Sequence, residues 1–206
     1  MSFECAFGGA EPAARSGELD WVGSGADTDP VRLANTGGAP LYYVLQDTGV
    51  DLEPPALCAD GIAVDREFFD WEGNPVDPSE LKQGDLLIVR TTIRKLRDGD
   101  LSNLAAEDLL PAGWEIENLA FKTSTSGGTW LQTVMKSDNC WTDARDDRML
   151  LFPSGFGREG RARAHYAVRA VSPGEFILPS VTASGMYDPG VRAVGPAPRT
   201  VRVTAP

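Results

Sequence analysis

Ala162-Arg163-Ala164-His165-Tyr166-Ala167-Val168-Arg169-Ala170 alternates small or apolar residues with mostly polar ones. Side chains alternate across the two faces of a strand. Ala162, Ala164, Tyr166, Val168 and Ala170 are therefore predicted to meet a core. Arg163, His165, Ala167 and Arg169 are predicted to meet water. Ser172-Pro173-Gly174 reads as a turn, Phe176-Ile177-Leu178 as the next strand, and Val201 and Val203 mark a final one. On the N-terminal side, Leu86-Leu87-Ile88-Val89-Arg90-Thr91-Thr92-Ile93 is apolar enough for a central strand buried on both faces. Before it, Ile62, Val64, Arg66 and Phe68 alternate with Ala63, Asp65, Glu67 and Phe69, and Asp70 to Pro75 and Leu81 to Asp85 read as turns. Residues 101–110 suit a short helix by propensity or a strand by context, and the strand is preferred because its neighbours are strands. Short strands at this spacing predict an all-β fold, an antiparallel β-sandwich.

The N-terminal quarter is less regular. Residues 1–30 are rich in Gly, Ala, Ser and Asp and are expected to be irregular. Val31 to Asn35 and Leu41 to Gln46 flank Thr36-Gly37-Gly38-Ala39-Pro40 and read as a β-hairpin. Asp51-Leu52-Glu53-Pro54-Pro55 reads as a stiff linker.

Composition narrows the function. Nineteen basic residues against 30 acidic ones give a net charge of −11, which argues against nucleic acid as a partner. The one basic concentration, Arg158, Arg161, Arg163 and Arg169, falls at strand spacing and reads as a solvated face. No run approaches the roughly 20 apolar residues that span a bilayer, so direct membrane insertion is not expected. The N-terminus, Met-Ser-Phe-Glu-Cys-Ala, reads as neither a signal peptide nor a lipobox.

Residues that could carry chemistry are sparse. Asp146-Asp147 and Glu107-Asp108 are adjacent, so on a strand each pair splits between opposite faces. His165 is the only imidazole and is expected to be an exposed bystander. Gly155 to Gly160 lacks the Lys-Ser/Thr ending of a phosphate loop and reads as a hairpin turn. Cys5, Cys58 and Cys140 have no metal-binding spacing; they allow one disulfide, with Cys58–Cys140 the expected pair, or three free thiols. No catalytic residue, cofactor or metal is expected, and the chain is read as a non-enzyme. Gly185-Met186-Tyr187-Asp188-Pro189-Gly190 stands out because a turn carries two large apolar groups, which either cap the core or mark a contact surface.

Six strings, in order, resemble the C-terminal domain of bacterial α2-macroglobulins. They are Asp70-Trp71-Glu72-Gly73-Asn74-Pro75-Val76-Asp77-Pro78, Leu81-Lys82-Gln83-Gly84-Asp85-Leu86, Asp108-Leu109-Leu110-Pro111-Ala112-Gly113-Trp114-Glu115-Ile116-Glu117-Asn118, Arg145-Asp146-Asp147-Arg148, Tyr166-Ala167-Val168-Arg169-Ala170-Val171-Ser172-Pro173-Gly174 and Met186-Tyr187-Asp188-Pro189. The resemblance implies a macroglobulin/Ig-like sandwich over residues 58–206. Residues 1–57 resemble, less strongly, the second half of the CUB-like β-domain that precedes it, plus a linker. The implied parent is a large bacterial endopeptidase inhibitor of the periplasm, a lipoprotein of the inner membrane. A protease cuts its bait region, and an internal Cys–Gln thioester is exposed and traps the attacker. The C-terminal sandwich packs on the thioester domain, beside other macroglobulin domains, and a loop methionine shields the thioester from water. Met186 is the matching position, with Tyr187 beside it.

No Cys-x-Glu-Gln string occurs here: Cys5, Cys58 and Cys140 are followed by Ala-Phe-Gly, Ala-Asp-Gly and Trp-Thr-Asp. The chain is thus expected to be a C-terminal fragment that docks and shields, contacting proteases only through its parent. The competing expectation is an independent Ig-like bacterial surface or adhesion module.

Overall fold

The computed structural model describes residues 2–6, 13–18, 31–44, 46, 53–117, 129–136 and 138–206. It divides into two units, Met1–Leu52 and Glu53–Pro206.

In the first unit, β1 (Ser2–Ala6) lies between β2 (Ala13–Ser16) and β3 (Arg32–Asn35), antiparallel to both. This corrects two expectations. Residues within 1–30 form strands, with Phe3 and Cys5 buried on β1. The hairpin of residues 31–46 does not form: β3 pairs with β1, and Leu41 to Val44 run irregular, with Tyr42, Tyr43 and Val44 exposed. The Gly-Gly turn between two apolar runs was a local signal, and a strand distant in sequence took the ladder instead. Leu45, Asp51, Leu52 and Asn118, which belong to the predicted hairpin, linker and family strings, lie outside the described residues.

The second unit is an all-β sandwich. Its strands are β4 (Cys58–Asp60), β5 (Ile62–Phe69), β6 (Glu80–Lys82), β7 (Leu86–Lys95), β8 (Leu104–Leu109), β9 (Trp114–Glu117), β10 (Cys140–Ala144), β11 (Arg148–Pro153), β12 (Arg161–Ala170), β13 (Gly174–Leu178), β14 (Thr182–Gly185), β15 (Arg192–Val194) and β16 (Arg199–Thr204). A six-stranded sheet, β10-β11-β8-β14-β15-β4, and a four-stranded sheet, β5-β7-β12-β9, share one apolar core. A small sheet, β13-β16-β6, adds Leu81, Leu178, Val201 and Val203 to that core; β6 runs parallel to β16, the other ladders antiparallel. Residues 101–110 contain a strand, as context suggested, and the predicted central strand is β7, paired with β12 on one side and β5 on the other.

The alternation of β12 is half correct. Ala162, Ala164, Tyr166, Val168 and Ala170 are buried in the main core. The opposite face is not simply solvated. Helix α1 (Thr129–Met135) lays Leu131 on Phe69, Ile88 and Ala167 to make a second apolar cluster. His165 is therefore buried, not exposed: its Nδ1 lies 2.6 Å from Asp138 Oδ1, its backbone N–H donates to Asp138 Oδ2, and Trp130 meets its ring edge-on. The arginines on this face do reach solvent and pair with acids across strands, as in Arg94–Asp65, Arg90–Glu67 and Arg169–Glu117.

One polar cluster lies inside the sandwich. Asp108, on β8 of the six-stranded sheet, is fully buried and points at the four-stranded sheet. Its carboxylate pairs with Arg66 of β5 and accepts hydrogen bonds from Thr91 Oγ1 of β7 at 2.8 Å and Tyr166 Oη of β12 at 2.7 Å. Arg66 also donates to the Pro179 carbonyl at 2.6 Å. Glu107, its neighbour, points outward to Arg148. Removing one partner of a buried ion pair strands the other charge. Asp108→Ala is expected to cost about 3–5 kcal/mol in denaturant unfolding. Cutting the exposed Arg202–Glu175 pair with Glu175→Ala is expected to cost less than about 1 kcal/mol.

Burial, with the Asp108 carboxylate beside it, pushes the Tyr166 hydroxyl well above its ordinary value of 10.0. The unfolded chain releases that proton first. This contribution is whole below the unfolded value and is lost as pH climbs through the folded one. The denaturation midpoint is expected to fall above about pH 10, and Tyr166→Phe is expected to remove that part of the slope.

Candidate functional site

The site is the turn that joins β14 to β15. The strands pair Thr182 with Val194, Ala183 with Ala193 and Ser184 with Arg192, and β14 pairs in turn with β8. Ala183, Val191 and Ala193 are buried, so the hairpin is rooted in the core. The five residues beyond Gly185 cannot follow it inward. Pro189 has no backbone donor and a fixed φ. Asp188 turns the chain, its carbonyl accepting from Val191 N at 3.0 Å and its Oδ1 from Gly190 N at 3.1 Å. Gly185 donates to the Val191 carbonyl at 2.8 Å and packs so tightly that a Cβ there would lie 2.8 Å from the Asp188 carbonyl oxygen. The turn is thus a closed loop with defined internal bonds.

Met186 and Tyr187 ride on this loop, 55% and 80% exposed. Neither side chain is folded into the core of the sandwich. The segment between β7 and β8 lies alongside. The Asn103 carbonyl accepts from Met186 N at 2.8 Å, and Arg97 Nη2 donates to Asp188 Oδ2 at 3.0 Å. Leu96, at the same end, is 52% exposed. Asn103 has a left-handed backbone, with φ at 54°, a conformation that asparagine tolerates better than most residues. The Arg97 hydrogen bond, with the Gly190 N–H, holds the Asp188 carboxyl below the ordinary carboxylate range. Arg192 pairs with Asp60 at 3.0 Å at this end as well.

The other sequence candidates are not brought together. Cys58 and Cys140 are free thiols, which corrects the expected disulfide. They lie on β4 and β10, the opposite edges of the six-stranded sheet, five strand spacings or about 24 Å apart. A disulfide needs Cα atoms within roughly 7 Å. Burial, helped by the charge of Asp138, pushes the Cys140 thiol up to about 12, which keeps it protonated and unreactive. Among the described residues, no group of three or more His, Cys, Asp or Glu side chains is placed to share a metal ion. Sequence reasoning missed Arg97 and Asn103. Their contacts with the loop span about 80 to 90 residues of chain, and nothing local marks them.

The chain is similar to the "Alpha-2-macroglobulin homolog" of Yersinia pestis, 27% identical over an aligned length of 192 residues that covers 85% of this chain and 9% of that protein. It is also similar to the alpha-2-macroglobulin of Xylella fastidiosa strain 9a5c, 31% identical over 185 residues, 85% of this chain and 11% of that one. It spans about a tenth of the length of these relatives. Among solved structures, Salmonella alpha-2-macroglobulin reacted with methylamine superposes with a TM-score of 0.76 at 23% identity, over 98% of this chain and 13% of that one. The family profile described as Bacterial Alpha-2-macroglobulin MG10 domain matches residues 61–190, which hold most of the sandwich core and both Met186 and Tyr187. With these matches the chain belongs to the bacterial α2-macroglobulin family, as its MG10 domain.

Proposed function

We propose that this sandwich is a non-catalytic docking module of a bacterial α2-macroglobulin-like endopeptidase inhibitor, and that its Met186–Tyr187 tip covers the thioester of a neighbouring domain. The observation that carries this reading is the exposure of two large apolar side chains on a turn that is otherwise closed by hydrogen bonds. Covering what remains exposed of each would contribute at most about 1.5–3 kcal/mol. A thioester is lost to water, so an apolar lid slows that loss. Methionine, unbranched and polarizable, fills irregular gaps over such a group. The neighbouring thioester domain and other macroglobulin domains are the direct partners, and proteases are met only through the assembled inhibitor. The periplasm, with the inhibitor anchored as an inner-membrane lipoprotein, is the proposed setting.

The test is methylamine uptake by the resting, thioester-bearing protein that contains this module. Met186→Ala and Tyr187→Ala are expected to speed uptake about tenfold, the equivalent of roughly 1.4 kcal/mol of lost cover. Thermal unfolding of the isolated chain should not move by more than about 0.5 kcal/mol, because both side chains are exposed. Uptake unchanged in both variants would contradict the shielding role.

A further inference from the structure

We infer that Arg97 is a positioning residue that sets the pose of the Met186–Tyr187 tip, an inference that rests on the docking role proposed above. Among the described residues, two hydrogen bonds reach the tip from outside its own hairpin. One is Met186 N to the Asn103 carbonyl, and the other is Arg97 to the Asp188 carboxylate. They fall on the residues either side of Tyr187. A side chain as exposed as Tyr187 has few contacts to aim it, so its direction follows from the backbone at positions 186 and 188.

Arg97 is itself aimed. Its stem passes over Gly61, where a Cβ would lie 3.3 Å from Arg97 Cδ and 3.6 Å from Val191 Cγ2. Gly61 has φ at +75°, a conformation that glycine adopts at little cost and other residues resist. The missing side chain at position 61 leaves the channel through which the guanidinium reaches Asp188. The backbone beneath is fixed too, since Leu96 N donates to the Gly61 carbonyl at 3.0 Å. Arg97 and Asp188 are each about half exposed, so the pair adds little to global stability. Its consequence is local. Asp188 uses one carboxylate oxygen to close its own turn and the other to receive Arg97, so pulling Arg97 away loosens the residue that ends the tip.

The Arg192–Asp60 pair supplies a control, because it joins β15 to β4 at the same end and its side-chain hydrogen bond goes to Asp60 rather than to the loop. Amide hydrogen exchange of Met186 and Gly190, whose N–H groups donate to the Asn103 carbonyl and to Asp188 Oδ1, reads the pose directly in the whole chain. In Arg97→Met these amides are expected to exchange about two- to fivefold faster with global unfolding unmoved. Arg97→Lys should restore most of the protection, and Arg192→Met should leave these amides alone. Unchanged amides in Arg97→Met would overturn the inference. In the thioester-bearing protein, Arg97→Met should also raise methylamine uptake. No rise there, where Met186→Ala does raise it, would equally overturn the inference. Met186→Ala and Tyr187→Ala both without effect overturn the docking reading instead, and the amide exchange still decides whether Arg97 holds the tip.

Discussion

The carboxylate of Asp108, shut between two sheets, is the constraint on which the rest of the sandwich depends. A buried charge is tolerated only when opposite charge and donors meet it. Here every named partner, Arg66, Thr91 and Tyr166, comes from the sheet opposite. Apolar packing alone accepts small slips of one sheet over another. Three polar contacts on one carboxylate do not, because a slip would leave a donor or the charge unmet. Strand β8 carries this fixed point to the tip. Asp108 sits four residues, about 13 Å, along the strand from Leu104, which pairs with Gly185 at the root of the Met186–Tyr187 turn. The sheet alignment that satisfies Asp108 therefore also sets where the tip emerges.

Beyond that root, weaker bonds take over. The turn closes on itself through Asp188 and Gly190 and leans on the segment between β7 and β8 through Asn103 and Arg97. The base of the turn thus belongs to the cooperative core, while its apex is held by a few exposed hydrogen bonds.

Much of the fold was legible in particular residues. The alternation from Ala162 to Ala170 located the central core face, the apolar run from Leu86 to Ile93 located β7, and strand context chose correctly at Leu104–Leu109. What failed did so because distant chain decided it. His165 looked solvent-facing between two arginines, yet a seven-residue helix rich in β-branched and aromatic side chains, with no acid in its first turn and no base in its last, folds over it. The Gly37-Gly38 turn looked like a hairpin, but β3 found β1. Arg66, at a core position in an otherwise apolar alternation, was the visible trace of the Asp108 cluster; its partner could not be named from sequence because the two are 42 residues apart. The tip was legible as an anomaly, two large apolar groups in a turn, while the role proposed for it came from the resemblance of the ordered strings.

The most direct measurement places the photo-crosslinking residue p-benzoylphenylalanine at position 187 of the resting, thioester-bearing inhibitor and maps the crosslinked peptide by mass spectrometry. The expected product joins position 187 to the segment around the thioester, and it disappears once a protease has cut the inhibitor. Crosslinks only within residues 53–206, or a product that survives protease cleavage unchanged, would contradict the tip's role as a cover.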